Sequence, residues 1–288
     1  MRSALRRIWL CADDYGISPG VNAGIRELAL RERINATSVM VTAPHFDNKE
    51  AAALDALNSE KKRAALGLHI TLTAPFKPSS VDFVPLREGR FLPLNKMLRA
   101  AAARRLQSES LIVEIAAQLR TFIDAFGRPP DFLDGHQHVH LFPQVRDAFL
   151  QVAARGAPHA WVRQCGRSRP GRRASDRKGL MLDILSVGFR RKAKRLGIPT
   201  NPAFAGTYAF NARANFAKIF ARFLPGLPDG GLIMCHPGFV DAELEALDSL
   251  TTLREYEFSF FNSNAFPEVL AQQGVTLTRP TGETGSGA

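Results

Sequence analysis

Cysteine is scarce in this chain. Cys11, Cys165 and Cys235 are odd in number and far apart, which excludes a disulfide framework and zinc-ribbon spacing. A reducing cytoplasm is the simplest compartment for that pattern. Long apolar runs are missing as well: no stretch reaches the ~18 residues that a membrane-spanning helix needs. The opening residues are basic, but the apolar run at 8–12 is short and ends at two carboxylates. It reads as a first core strand and not as a signal peptide. Acidic residues are the third shortage, 27 Asp/Glu against 38 Lys/Arg, for a net charge of +11. That imbalance is local. Residues 163–195 hold twelve Lys/Arg and two Asp/Glu, leaving 26 and 25 in the rest of the chain. The segment has few aromatics, and the chain has no helix-turn-helix, zinc-finger or RNA-binding signature, so a nucleic-acid partner is not expected.

What is present suits one α/β domain. A chain of 288 residues, 45% hydrophobic, can bury a full core. Strands are expected at 6–14, 36–43, 66–72, 131–136, 160–164, 231–235 and 275–278. Helices are expected from Pro19 to about 31, from an Asp47 cap to 57, and at 108–126, 144–155, 180–189, 211–224 and 265–272. The proline-rich stretch 74–93 has no period and reads as a long loop over a site. Strand and helix alternate through most of the chain, which argues for a parallel sheet with crossover helices. The domain is expected to span 1–280, and the Gly/Ser-rich end, 281–288, is expected to be a disordered tail.

Polar clusters recur where these strands end. Asp13 and Asp14 follow the first, His69 lies in the third, Asp134 and His136 in the fourth, and His236 follows the strand at 231–235. In parallel α/β folds that end carries the sites. The densest cluster is Asp134-Gly135-His136-Gln137-His138-Val139-His140. If that segment stays extended, His136, His138 and His140 share one face. Three imidazoles make a poor core but a good metal or proton-transfer site. Blander roles exist for each residue: Asp13 or Asp14 could cap a helix, and a lone strand histidine such as His69 is often a core residue with a satisfied hydrogen bond. Both carboxylates can reach one site only where the strand ends, and the Tyr15-Gly16 turn permits that.

Four motifs carry a resemblance. Ala12-Asp13-Asp14-Tyr15-Gly16, Gly67-Leu68-His69-Ile70-Thr71-Leu72-Thr73, Asp134-Gly135-His136-Gln137-His138-Val139-His140 and Cys235-His236-Pro237-Gly238 resemble, in order, those of the YdjC-like carbohydrate deacetylases. That family includes chitooligosaccharide deacetylases and deacetylases associated with hopanoid biosynthesis. Gly135 departs from the pattern, standing where many members have serine or alanine. The resemblance implies a distorted (β/α) barrel related to the polysaccharide deacetylases, and one divalent ion held by Asp14, His69 and His136. It implies Asp13 as catalytic base and places His236 in a motif of the site.

The expected activity is hydrolysis of an N-acetyl group from an acetylated amino sugar, on an oligosaccharide or a lipid-linked glycan. His236 is the candidate proton donor to the leaving amine. Asp134 is a candidate to orient a ligand histidine, and His138 and His140 are candidates for supporting or substrate contacts. A metal-dependent phosphoesterase could use the same ligands, with the basic segment binding phosphate. By ligand type, one Asp and two His suit zinc, manganese, cobalt or nickel; the resemblance points to magnesium. Finally, the apolar run 180–189 joined to Arg190, Arg191, Lys192, Lys194 and Arg195 could rest peripherally on an anionic membrane. An ordinary core-facing helix is the alternative.

Overall fold

The structure is a computed structural model that describes residues 5–168, 177–208 and 215–279. The tail 281–288 lies outside them. In chain order the elements are β1 (Arg6–Tyr15), α1 (Pro19–Leu30), β2 (Ala36–Val39), α2 (Asn48–Asp55), β3 (Ala65–Ile70), the short hairpin β4 (Leu86–Arg87) and β5 (Arg90–Phe91), α3 (Leu94–Ala102) and α4 (Ser108–Phe126). Then come β6 (Phe132–Gly135), a 3₁₀ turn (His136–Leu141), α5 (Val145–Gly156), β7 (Trp161–Val162), α6 (Arg177–Arg195), β8 (Phe204–Ala205), α7 (Phe216–Ala221) and β9 (Leu232–Cys235). The last are α8 (Ala242–Leu247), α9 (Thr252–Asn262), α10 (Ala265–Gln272) and β10 (Val275–Leu277).

β1 is central because it is apolar along most of its length and buried on both faces, the pattern of an interior parallel strand. The main sheet runs β7-β6-β3-β2-β1-β9-β8, with β10 added to the start of β1, and every pairing in it is parallel. The two ends of this order meet irregularly. Val162 bridges to Thr200, its N–H reaches Pro199 O at 2.9 Å, and Phe204 N–H reaches Gly166 O at 3.0 Å. The result is the expected distorted barrel, with helices outside.

Local chemistry explains the elements that position the site. Ser18 caps α1 by accepting the Val21 N–H, and Pro19 occupies the first turn, where its missing N–H costs nothing. Gly24 of α1 lies against Gly238: a Cβ on Gly24 would stand 2.9 Å from the Gly238 Cα. That close approach holds the segment after His236 against α1. α4 buries Leu111, Ile115, Leu119, Phe122 and Phe126 at helical spacing and stops at Gly127, which takes the left-handed φ of +66°.

Several expected boundaries move. β2 stops at Val39, β3 covers Ala65–Ile70, and β7 is only two residues long. The run expected at 180–189 lies inside the longer α6. Of the helix expected at 211–224, α7 covers Phe216–Ala221, and residues 211–214 lie outside the described ones. The elements not anticipated are β4, β5, α3, β8, α8 and α9. α9 escaped for a physical reason: it buries Arg254 and Glu257 beside Leu253, Phe258, Phe260 and Phe261, so its hidden face has no apolar period.

Candidate metal centre and active site

The chain turns inside β1, not after it. Asp14 has φ +71°, and the pairing with β2 shifts between Ala12 and Tyr15. This bulge, and not the Tyr15-Gly16 turn alone, lets adjacent carboxylates serve one cavity. An aspartate tolerates the left-handed region better than most residues.

His69 arrives from the end of β3 and His136 from the first residue after β6. Asp14 Oδ1 lies 2.9 Å from His136 Nδ1 and 3.4 Å from His69 Nε2. One ligand atom from each of Asp14, His69 and His136 falls within 4.8 Å of the others, and all three residues are buried. A carboxylate and two imidazoles converging at this range fit a divalent ion. Asp134 Oδ1 is 2.6 Å from His69 Nδ1, and Ser38 Oγ is 3.0 Å from the same nitrogen. The carboxylate holds a proton on Nδ1 and leaves Nε2 to face Asp14. Burial works against charge on His69, but Asp134 and Asp13 outweigh it and lift its pKa to about 10. A metal at Nε2 would take the place of that proton.

Asp13 faces a different partner. Arg163 donates from Nη1 to Asp13 Oδ2 and from Nη2 to Oδ1, both at 2.6 Å, and its Nη2 is 2.5 Å from Asp134 Oδ2. Burial alone would raise the Asp13 pKa; the guanidinium reverses this and holds the carboxyl far below its usual range. Cys11, Asp13 and Asp134 also converge closely enough to suggest a second cation site. The Arg163 guanidinium already contacts all three residues, donating to Cys11 Sγ at 3.0 Å as well.

Arg254 plays the matching part for Asp14. From α9 it donates to Asp14 Oδ2 and to Asp248 Oδ2, both at 2.7 Å. Burial opposes ionisation of Asp14, and Arg254 and His136 overcome it, so the carboxyl sits well below its normal pKa. His236 follows β9. Its backbone N–H donates to Glu257 Oε2 at 2.6 Å, and Tyr208 donates to the other oxygen at 2.6 Å. Burial lowers the His236 pKa to about 4 and raises that of Glu257 to about 7. Asp13, Asp14, His69, His136, His138 and His236 all line one cavity of about 430 Å³, a volume in the range of small-molecule sites.

The histidine run does not stay extended. It forms a 3₁₀ turn in which Gln137 and His138 take left-handed φ values of 54° and 59°. The imidazoles therefore diverge instead of sharing a face. His136 joins Asp14 and His69. His138 lies 3.5 Å from Cys165 Sγ, edge-on to Phe204, on the cavity wall. His140 points away: its Nε2 is 2.9 Å from the Arg163 carbonyl oxygen, and its ring packs between Phe149 and Phe189. It supports the strand end that presents Arg163. Stretch 74–93 reaches the site at Phe76, whose ring meets His136 edge-on at 5.7 Å. The facing cavity wall is the segment from Asp248 to Leu253.

Arg163, Ser38, Arg254 and Glu257 were not foreseen as site residues. Arg163 lies near the end of the strand expected at 160–164, close enough for the strand-end rule to reach it, but in sequence it merges into the basic segment, and it is fully buried. No pattern in the sequence marks Arg254 or Glu257.

A sequence profile described as YdjC-like protein matches residues 7–272. The chain belongs to that family. Among curated relatives, the chitooligosaccharide deacetylase of Citrobacter koseri is 29% identical over 272 residues, 92% of this chain and 94% of that protein. That of Serratia marcescens is 30% identical over 238 residues, 81% and 82% of the two chains. Among solved structures, a candidate cellobiose-phosphate cleavage protein from Enterococcus faecalis is similar with a TM-score of 0.70 at 20% identity, covering 96% of this chain and 98% of that one. A lactam utilization protein from Thermus thermophilus gives 0.51 at 13% identity, covering 96% and 100%. The structural likenesses support the fold. In this YdjC-like barrel the four sequence motifs lie far apart in the chain and meet at one end of the sheet.

Proposed function

We propose that the protein is a divalent-metal-dependent hydrolase that removes an N-acetyl group from an acetylated amino sugar. One observation carries this reading. Two adjacent carboxylates on one cavity are held apart in role, Asp14 facing two imidazoles and Asp13 facing a guanidinium. The names of the deacetylase relatives support the substrate class. Asp14, His69 and His136 would hold the ion, and the donor set favours zinc, manganese, cobalt or nickel over magnesium. Bound there, such an ion supplies Lewis-acid polarisation of the amide carbonyl and acidifies water.

The chain's own residues complete the reaction. Asp13 accepts the proton of the attacking water. Arg163 keeps that carboxylate ionised and aimed, at some cost in basicity, because both its oxygens accept charged hydrogen bonds. Asp134 fixes the orientation of His69. His236 is neutral at rest; it takes up a proton from solvent as negative charge develops on the acetyl oxygen and passes that proton to the departing amine, while Asp13 returns the proton of the attacking water to solvent. His138 lines the cavity as a substrate contact.

The test is release of acetate from N-acetylglucosamine oligomers by chelator-stripped protein reloaded with each ion in turn. Acetate release that depends on the ion is expected. Release of p-nitrophenol from a phosphodiester with no acetate would overturn the reading in favour of a phosphoesterase using the same ligands.

A further inference from the structure

α6 buries one narrow face. Gly179, Leu182, Ser186, Phe189 and Ala193 recur at three and four and turn inward, and Phe189 meets the His140 ring. The opposite face is where a barrel helix normally carries polar residues. Here its middle is aliphatic: Leu180, Ile184 and Val187 are 50%, 64% and 38% exposed. Their spacing of four and three places them on one stripe. Arg177 continues the stripe at one end, and Arg191, Lys194 and Arg195 continue it at the other, all exposed. The stripe carries no carboxylate. The one acidic residue of α6, Asp183, is turned aside onto Arg167, with a 2.6 Å contact. Lys192 is also off the stripe, paired with Asp147 at 2.8 Å.

We infer that this face of α6 docks on an anionic bilayer surface. An exposed aliphatic patch rimmed by polar groups marks an interaction site. The occupant follows from charge and shape. Cations at both ends with no acid between them complement a sheet of lipid phosphates. A straight ridge of about 27 Å, from ~1.5 Å per residue, lies flat on a plane better than in a groove. The aliphatic side chains enter the acyl boundary while the arginines and lysines remain at the headgroups. The docked face and the cavity share one end of the same helix, because Lys178 lines the cavity wall. A bilayer held by α6 is therefore close to the site.

The full chain is floated with extruded vesicles, half phosphatidylglycerol and half phosphatidylcholine, and with vesicles of phosphatidylcholine alone. Binding to the anionic vesicles at low salt is expected, at least tenfold weaker to the neutral ones and in about 0.5 M salt, where screening is short-ranged. Ile184→Glu is expected to cut vesicle binding at least tenfold, and Arg191→Glu severalfold. Both substitutions lie on the solvent face, and acetate release from a soluble oligosaccharide is expected within twofold of wild type. The inference is overturned if wild-type protein ignores anionic vesicles at low salt, or if Ile184→Glu binds them as well as wild type. It is also overturned if light scattering shows a dimer that Ile184→Glu dissociates and no vesicle binding, since a second copy would then cover the stripe. Vesicle binding by a protein that releases no acetate from any substrate would uphold the surface and sink the hydrolase reading alone.

Discussion

Asp13 and Asp14 are neighbours in sequence, of one residue type and equally buried, yet they share out their oxygens differently. Asp13 gives both oxygens to Arg163. Asp14 gives Oδ2 to Arg254 and keeps Oδ1 toward His69 and His136. Both groups are held ionised by a buried arginine, so what separates them is which lone pairs remain open to other partners. A carboxylate with one oxygen free beside two imidazoles can bind a metal. A carboxylate with both oxygens in a guanidinium fork has fewer lone pairs to offer an ion, which supports the proposed division between ligand and proton acceptor.

Removing a ligand from the Asp14 side has the largest expected effect. His69→Ala should lose the bound ion, measured by metal analysis after gel filtration, and acetate release should fall to background. Full occupancy in that variant would dismantle the ligand set. Arg254→Met comes next. It leaves Asp14 buried without its cation, a change of about 3–5 kcal/mol in stability. Added divalent ion should restore much of this, so the rise in melting temperature on metal addition should be larger than in wild type. An equal rise in both proteins would mean that Arg254 and the ion do not share Asp14.

The Asp13 side should separate turnover from metal binding. Asp13→Asn is expected to retain the ion and lose about 10²-fold or more in kcat, the scale of general base catalysis. Loss of the ion would instead make Asp13 a ligand and erase the contrast between the two carboxylates.

The smallest effect concerns the support behind Arg163. Burial lowers the His140 pKa from 6.5 to about 4. Between those values the unfolded chain binds the extra proton, so this stability is fully present above about pH 6.5 and is lost as the pH falls toward 4. The loss is on the order of 3 kcal/mol or less, from ~1.4 kcal/mol per pKa unit. Denaturant unfolding between pH 7 and 4.5 should show a shallower slope in His140→Gln than in wild type. An unchanged slope would remove His140 from the acid response.

Residue order alone encodes the parallel α/β architecture, because buried parallel strands and amphipathic helices write their periods directly into the chain. It also placed Asp13, Asp14, His69, His136 and His236 at strand ends, where such folds build sites. The remainder depends on long-range packing. The histidine run looked like one face, but left-handed turns at Gln137 and His138 sent its imidazoles to three places, and φ is not legible from residue type when the residues are not glycine. Arg163 belongs by sequence to the basic segment 163–195 and is fully buried between Asp13 and Asp134. Arg254 reaches Asp14 across 240 positions of sequence, from a helix whose buried face is charged and so leaves no apolar period. Pairings of buried charge are made by long-range contacts. Their energy comes from partners that local sequence does not contain.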